Sequence, residues 1–275
     1  MSIVPKIKHL RTSELPLLIH LHHPPEPLYA LGNTPLPDAL CVGVVGSRRA
    51  SQKSLGVAAY LARELARAGV WVVSGLAYGV DSAAHRGALA AKGKTLAVLA
   101  HGLDRVYPAA HRELARSILH KNGGLLSQYA SGVPPRKSHF PERNRTLAGL
   151  CQAVVVVEAA AKSGSLITAR FALEEGREVF VVPGFFSAEA FSGSHSWIQQ
   201  GARLLHSVEE LFSEWGLSPN APLPGSGLGR FCKRFERYVL SDFYKIESGL
   251  LALRNALSSG ECLSFGPHEF LYLGT

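Results

Sequence analysis

Five short runs in this 275-residue chain are apolar almost throughout and rich in Val: LCVGVV (40–45), VWVVSG (70–75), TLAVLAHG (95–102), CQAVVVVEA (151–159) and REVFVVPG (177–184). A strand that faces water on one side alternates apolar and polar residues. These runs do not alternate, so each is read as a strand buried on both faces. Between them lie stretches with helical spacing of apolar residues: 51–69, which Ser51 can cap and Gly69 stops, then 80–93, 109–124 and 165–176. Strand and helix in alternation predict a doubly wound α/β sheet, mainly parallel.

The flanks read differently. Residues 1–39 hold seven of the 16 prolines and are read as an irregular N-terminal segment. The main domain is expected over 40–216. Residues 217–230, LSPNAPLPGSGLGR, read as a Pro/Gly/Ser linker. Residues 231–275 hold short helical stretches and a β-prone end, which fits a small winged-helix-like domain. His20, His22 and His23 lack further ligands at metal-site spacing and are read as an exposed turn.

Charge and cysteines bound the function. The net charge is +8, with +7 of it in the first 220 residues, so the larger domain is the expected anion binder. Charged or polar residues interrupt every apolar run before about 20 residues, and the N-terminus lacks a signal-like core. The four cysteines are scattered and form no C-x-x-C pair. A cytoplasmic protein with reduced thiols, no structural metal and no membrane contact is expected.

In a doubly wound sheet, ligands bind beyond the carboxyl ends of the strands. The segments that follow the strands crowd Gly, Ser and Arg onto that edge. GSRRAS (46–51) joins a glycine, which lets backbone approach a phosphate, to two arginines and a helix start. KSGSLITAR (162–170) puts Ser163, Gly164 and Ser165 at another helix start. PPRKSHFPERNR (134–145) interleaves four cations with Phe140, and Pro135 and Pro141 are expected to keep it a loop. Cations that track phosphates beside a ring that stacks on any base suit single-stranded nucleic acid. A buried Phe140 with solvated cations is the alternative. No G-x-x-x-x-G-K-[ST] loop and no G-x-S-x-G elbow occurs. Asp81 and His85, four apart, could form a base and its orienter. Turn and cap roles for Asp81 and Asp104, and packing for His85, are the preferred reading.

Taken in order, GSRRAS, SGLAYGVDSAAHRGAL, GLDRVYPAAHREL, FPERNRTLAGL, VVVVEAAAKSGSLITAR, VFVVPG and GSHSWIQQGA resemble the DNA-processing protein A (DprA/Smf) family from about residue 40 to 206. The resemblance implies a Rossmann-like core that binds single-stranded DNA and loads the RecA recombinase during natural transformation. It implies a homodimer, no chemical turnover and no cofactor. By motif, Gly46, Ser47 and Arg48 would form a phosphate nest. Lys137 would meet the backbone, Phe140 would stack on a base, and Ser163, Gly164 and Ser165 would close the pocket. Arg143, Asn144 and Arg145 would hold the loop or contact phosphate. Tyr78 stands where that family commonly has a basic residue, and His111 and His195 where it often has Asn. The N-terminal domain of longer members is expected to be absent. Trp197 and Ile198 are read as core packing, with a self-association face as the second option. The alternatives are a nucleotide-binding sensor and a nucleotide N-glycosidase-like enzyme, though the P-G-G-x-G-T-x-x-E loop of the latter is missing.

Overall fold

The computed structural model describes residues 6–215, 217, 262–266 and 269–272. The chain divides into two compact units, Met1–Pro219 and Asn220–Thr275.

In the first unit the Val-rich runs form β3 (Cys41–Val45), β4 (Trp71–Ser74), β5 (Thr95–Leu99), β7 (Ala153–Val156) and β8 (Glu178–Val181). All five pair in parallel. Successive residues alternate between two cores, as the period of two requires. Val42, Val44, Val72 and Val155 face one side, and Val45, Val73, Val154 and Val156 the other. Helices α1 (Gln52–Arg67), α2 (Val80–Ala90), α3 (Arg112–His120) and α7 (Val208–Glu214) cover the first face. Helices α4 (His139–Gly149), α5 (Gly164–Glu174) and α6 (Ser192–Gln199) cover the second. This is a Rossmann-like α/β fold. Ser51 caps α1 by accepting from the Ser54 N–H at 3.2 Å.

Three differences from the expected layout matter. Residues 1–39 are not wholly irregular: β1 (Lys8–Leu10) and β2 (Leu28–Gly32) extend the sheet. Strand β2 runs antiparallel to β6 (Gly124–Ser127), a strand that the expected helix over 109–124 conceals. β1 and β6 have too few apolar residues to show a period, and β2 lies among prolines that mask it. A short β9 (Arg203–Leu204) closes the other edge. Trp197 and Ile198, on α6, pack partly buried against the core, as the packing reading expects.

The strand order is β1-β2-β6-β5-β4-β3-β7-β8-β9. The chain winds one way from β3 through β4, β5 and β6, and the other way through β7 and β8. The topological switch point therefore lies between β3 and β7, and the carboxyl ends of that pair are where a doubly wound sheet places its ligand crevice.

In the second unit, β10 (Cys262–Gly266) and β11 (Glu269–Tyr272) form an antiparallel hairpin. The linker over 217–230, apart from residue 217, and the helices expected between 231 and 261 lie outside the described residues.

Candidate nucleic-acid interface

The switch-point crevice is built around Glu158, which is 1% exposed at the end of β7. The Ser47 N–H donates to its carbonyl at 2.7 Å, and the Ser51 N–H to its carboxylate at 3.0 Å. The Arg49 N–H donates to Ser47 Oγ at 3.1 Å. Three N–H groups of the GSRRAS loop are thus spent inside the protein. A Cβ on Gly46 would stand 2.6 Å from Val80 Cγ2, so the space this glycine leaves is filled by the first turn of α2. What the loop presents outward is the exposed side chains of Arg48 and Arg49. The bonds to Glu158 and Ser47 hold the loop with both arginines outward, and they do not use the N–H groups of Gly46, Arg48 and Ala50.

The turn after β4 supports that loop. Asp81 Oδ2 accepts from the Gly75 N–H at 3.1 Å and the Ala77 N–H at 3.3 Å. Gly79 has φ +73°, and a Cβ there would lie 2.1 Å from the Ser47 carbonyl oxygen. Only glycine allows that approach, which lets the Val80 N–H donate to Ser47 O at 3.2 Å. His111 Nδ1 meets the Leu76 carbonyl at 2.8 Å, and half-exposed Tyr78 packs edge-on against the His111 ring.

The basic-aromatic segment departs from its expected loop. Arg136 and Lys137 lie before α4, but Phe140, Arg143, Asn144 and Arg145 lie within it. Pro141 is the third helical residue. A proline in the first turn costs the helix no hydrogen bond, because those N–H groups have no intrahelical acceptor. The helix then sorts its side chains by angle. Arg143, 4% exposed, points beneath the edge. Its Nη1 donates to the carbonyls of Gly75 at 2.6 Å and Val98 at 2.5 Å, and its Nε to Asn144 Oδ1 at 3.1 Å. Asn144 Nδ2 reaches the Gly164 carbonyl at 3.4 Å. One helix therefore ties the ends of β4 and β5 to the loop after β7. A Cβ on Gly75 would come 2.2 Å from Arg143 Nη1, so that glycine makes room for the guanidinium. Burial pushes the Asp81 carboxyl above its usual range, and the charge of Arg143 opposes that shift. Arg143, also depressed by burial, stays protonated as guanidinium groups in proteins do.

Phe140 sits above this support, half-buried. The Arg48 guanidinium carbon lies 5.2 Å from its ring centroid and that of Arg143 lies 6.0 Å away. The Tyr107 ring meets it edge-on at 6.2 Å. Lys137 is exposed and makes no ion pair among the described residues. Arg145 points elsewhere. It approaches Glu175 at 3.4 Å and Glu174 at 3.6 Å and covers Phe171 at 4.5 Å, so it braces α4 on α5 and does not join Phe140. Ser163 caps α5: its Oγ accepts from the Ser165 N–H at 3.4 Å and lies 2.7 Å from Ser165 Oγ. Gly164 is exposed, with open space where a Cβ would be. Sequence reasoning missed Tyr107 as a neighbour of Phe140, although it stands in the loop after β5 on the same edge.

The groups weighed for catalysis hold the structure. Asp104 accepts from the Gly132 N–H at 2.8 Å and pairs with Arg105. His85 is fully buried, with Nδ1 2.7 Å from Thr95 Oγ1, and makes no hydrogen bond to Asp81. Burial and neighbouring positive groups push its pKa down to about 3. His22 pairs with Glu175 at 3.2 Å. Among the described residues no three His, Cys, Asp or Glu side chains gather as metal ligands, and no helix is long and apolar enough to cross a membrane.

Fold and site together define a Rossmann-like α/β domain with a cationic, aromatic crevice at its switch point. The family profile of DNA recombination-mediator protein A matches residues 9–216, a span that takes in β2 and all but the first residue of β1. The chain belongs to that family. It is 42% identical to protein Smf of Escherichia coli over 202 residues, which are 72% of this chain and 54% of Smf. It thus spans about half the length of that relative. The structure of DNA processing protein A from Streptococcus pneumoniae superposes with a TM-score of 0.70 at 39% identity, covering 76% of this chain and 74% of that one. DNA processing protein A from Helicobacter pylori, whose structure concerns its single-stranded DNA binding mode, gives 0.69 at 31% identity, covering 76% and 95%.

Proposed function

We propose that this protein binds single-stranded DNA along the carboxyl edge of its sheet, protects incoming strands, and loads RecA recombinase onto them during natural transformation. It works as a cytoplasmic homodimer, with no chemical turnover and no cofactor. The observation that carries the DNA reading is the Phe140 ring, half-exposed and flanked by the Arg48 guanidinium at 5.2 Å, with exposed Lys137 just before the same helix. A base can stack on the ring whatever its identity, and the two cations can follow its phosphates. Gly46 and Ser47 hold Arg48 in place. Arg143 and Asn144 fix the height of α4 and the position of the Ser163–Gly164–Ser165 turn. Arg145 acts only through the packing of α4. Support for the RecA step, the homodimer and the cellular setting comes from family membership alone.

The test is fluorescence anisotropy of labelled oligo-dT with Arg48→Ala and Lys137→Ala. Each variant is expected to fold normally and bind about tenfold more weakly. Each lost phosphate contact should lower the salt slope by about 0.7. Unchanged binding by both folded variants would remove these residues from the interface.

A further inference from the structure

The loop after β8 carries the most exposed large apolar side chain among the described residues, Phe186 at 95%, next to Phe185 at 63%. Neither ring belongs to a core cluster. The base of this loop, by contrast, is anchored. The Phe191 ring lies against Gly184, where a Cβ would come 2.0 Å from it, and stacks on His195 at 6.2 Å. His195 Nε2 lies 3.3 Å from the Gly184 carbonyl. Above that anchor the Ala188 N–H donates to the Phe185 carbonyl at 3.2 Å, closing a tight turn with Phe186 and Ser187 at its corners. Turn corners ordinarily carry Gly, Pro, Asn, Asp or Ser. Two adjacent phenylalanines held into water by a braced turn ask for a partner.

The surroundings select the partner's chemistry. The turn follows β8, two strands from β3 on the same carboxyl edge as Arg48. The Lys53 ammonium, in the first turn of α1, lies 5.0 Å from the Phe185 ring centroid. Lys53 is four residues beyond exposed Arg49, so one loop and helix start connects the Phe140 pocket to the Phe185 turn. The carboxylate within this loop, Glu189, lies beyond the turn. Flat apolar rings on the same sheet edge as the exposed Arg48–Arg49 loop suit unpaired bases on a phosphate backbone better than an apolar protein face.

We propose that Phe185 and Phe186 form a second stacking platform for the same single strand, which passes from Phe140 over the Arg48–Arg49 loop. This rests on the single-stranded DNA reading above and lengthens its footprint. The experiment compares the full-length protein with the double variant F185A/F186A and with R48A and K137A, on a short dT oligomer that fills one platform and a long one that spans both. The double variant is expected to bind the short oligomer within about twofold of the unmodified protein and the long one roughly five- to hundredfold more weakly. R48A should weaken both. A thermal melt confirms that the double variant folds. Unchanged long-oligomer affinity in the double variant, with R48A still impaired, would overturn the platform and leave the first reading standing. R48A and K137A both unimpaired at both lengths would overturn the first reading itself. A change in oligomeric state with DNA affinity unchanged would make the two rings a protein contact and overturn the platform.

Discussion

Arg48 and Arg143 both bring their guanidinium carbons within 6.0 Å of the Phe140 centroid, yet they occupy opposite sides of the interface. Arg143 lies beneath it, buried and bonded to the carbonyls of Gly75 and Val98. Arg48 lies on it, exposed, on a loop held by two N–H bonds to Glu158. The contrast separates two jobs that one run of basic residues would otherwise blur. The cations below set the shape of the edge, and those above are left over to meet a polyanion. A guanidinium bonded to two carbonyls has given up much of what it could offer a phosphate.

The largest effect is expected beneath the edge. Arg143→Ala strips the buried Asp81 of its compensating charge and leaves two carbonyls without a donor. It should cost about 3–5 kcal/mol in urea unfolding. Arg143→Lys should recover little, because one ammonium cannot reproduce the planar fork. A variant that lost DNA affinity at unchanged stability would move Arg143 to the surface side of the comparison. Next is Phe140→Ala, expected to weaken dT binding by about 1–3 kcal/mol while the melting temperature moves little. The reverse pattern, a lower melting temperature with full affinity, would make Phe140 part of the support.

The smallest effect sharpens the contrast through pH. His85 is neutral in the folded protein, with its pKa pushed down to about 3 from 6.5, and burial shifts His101 in the same direction. The unfolded chain therefore takes up protons that the folded one refuses. Stability is full above pH 6.5 and falls as the pH drops, by about 1 kcal/mol for His85 between pH 6.5 and about 5.5. Urea midpoints across that range should show the fall, and His85→Gln should flatten it. A midpoint independent of pH would contradict the buried, neutral assignment.

The sequence foretells the frame better than the detail, for physical reasons. Runs such as AVVV and CVGVV are buried on both faces, and their alternation with helical stretches marks them as central parallel strands. Strand β6, GLLS, offers two apolar residues, and β2 lies among prolines, so neither carries a period long enough to read. Pro141 suggests a break where the helix merely begins. That misreading hides the angular sorting of α4. On a loop Arg143 and Arg145 look alike. On a helix, residues two apart point about 200° away from each other, one to Gly75 and the other to Glu175. The grouping of Arg48, Lys137 and Phe140 on one edge is legible because the loops that follow parallel strands must share that edge. The bond from the Ser51 N–H to Glu158 is not, because it depends on a buried carboxylate 107 residues away.

The most direct measurement is the affinity of the full chain for labelled dT oligomers of increasing length, beside matched duplex and a mononucleotide, at two salt concentrations. Affinity that rises over several nucleotides, falls steeply with salt and exceeds that for duplex is the expected result. Saturation by the mononucleotide, or no preference for the single strand, would contradict an edge built to carry a DNA strand.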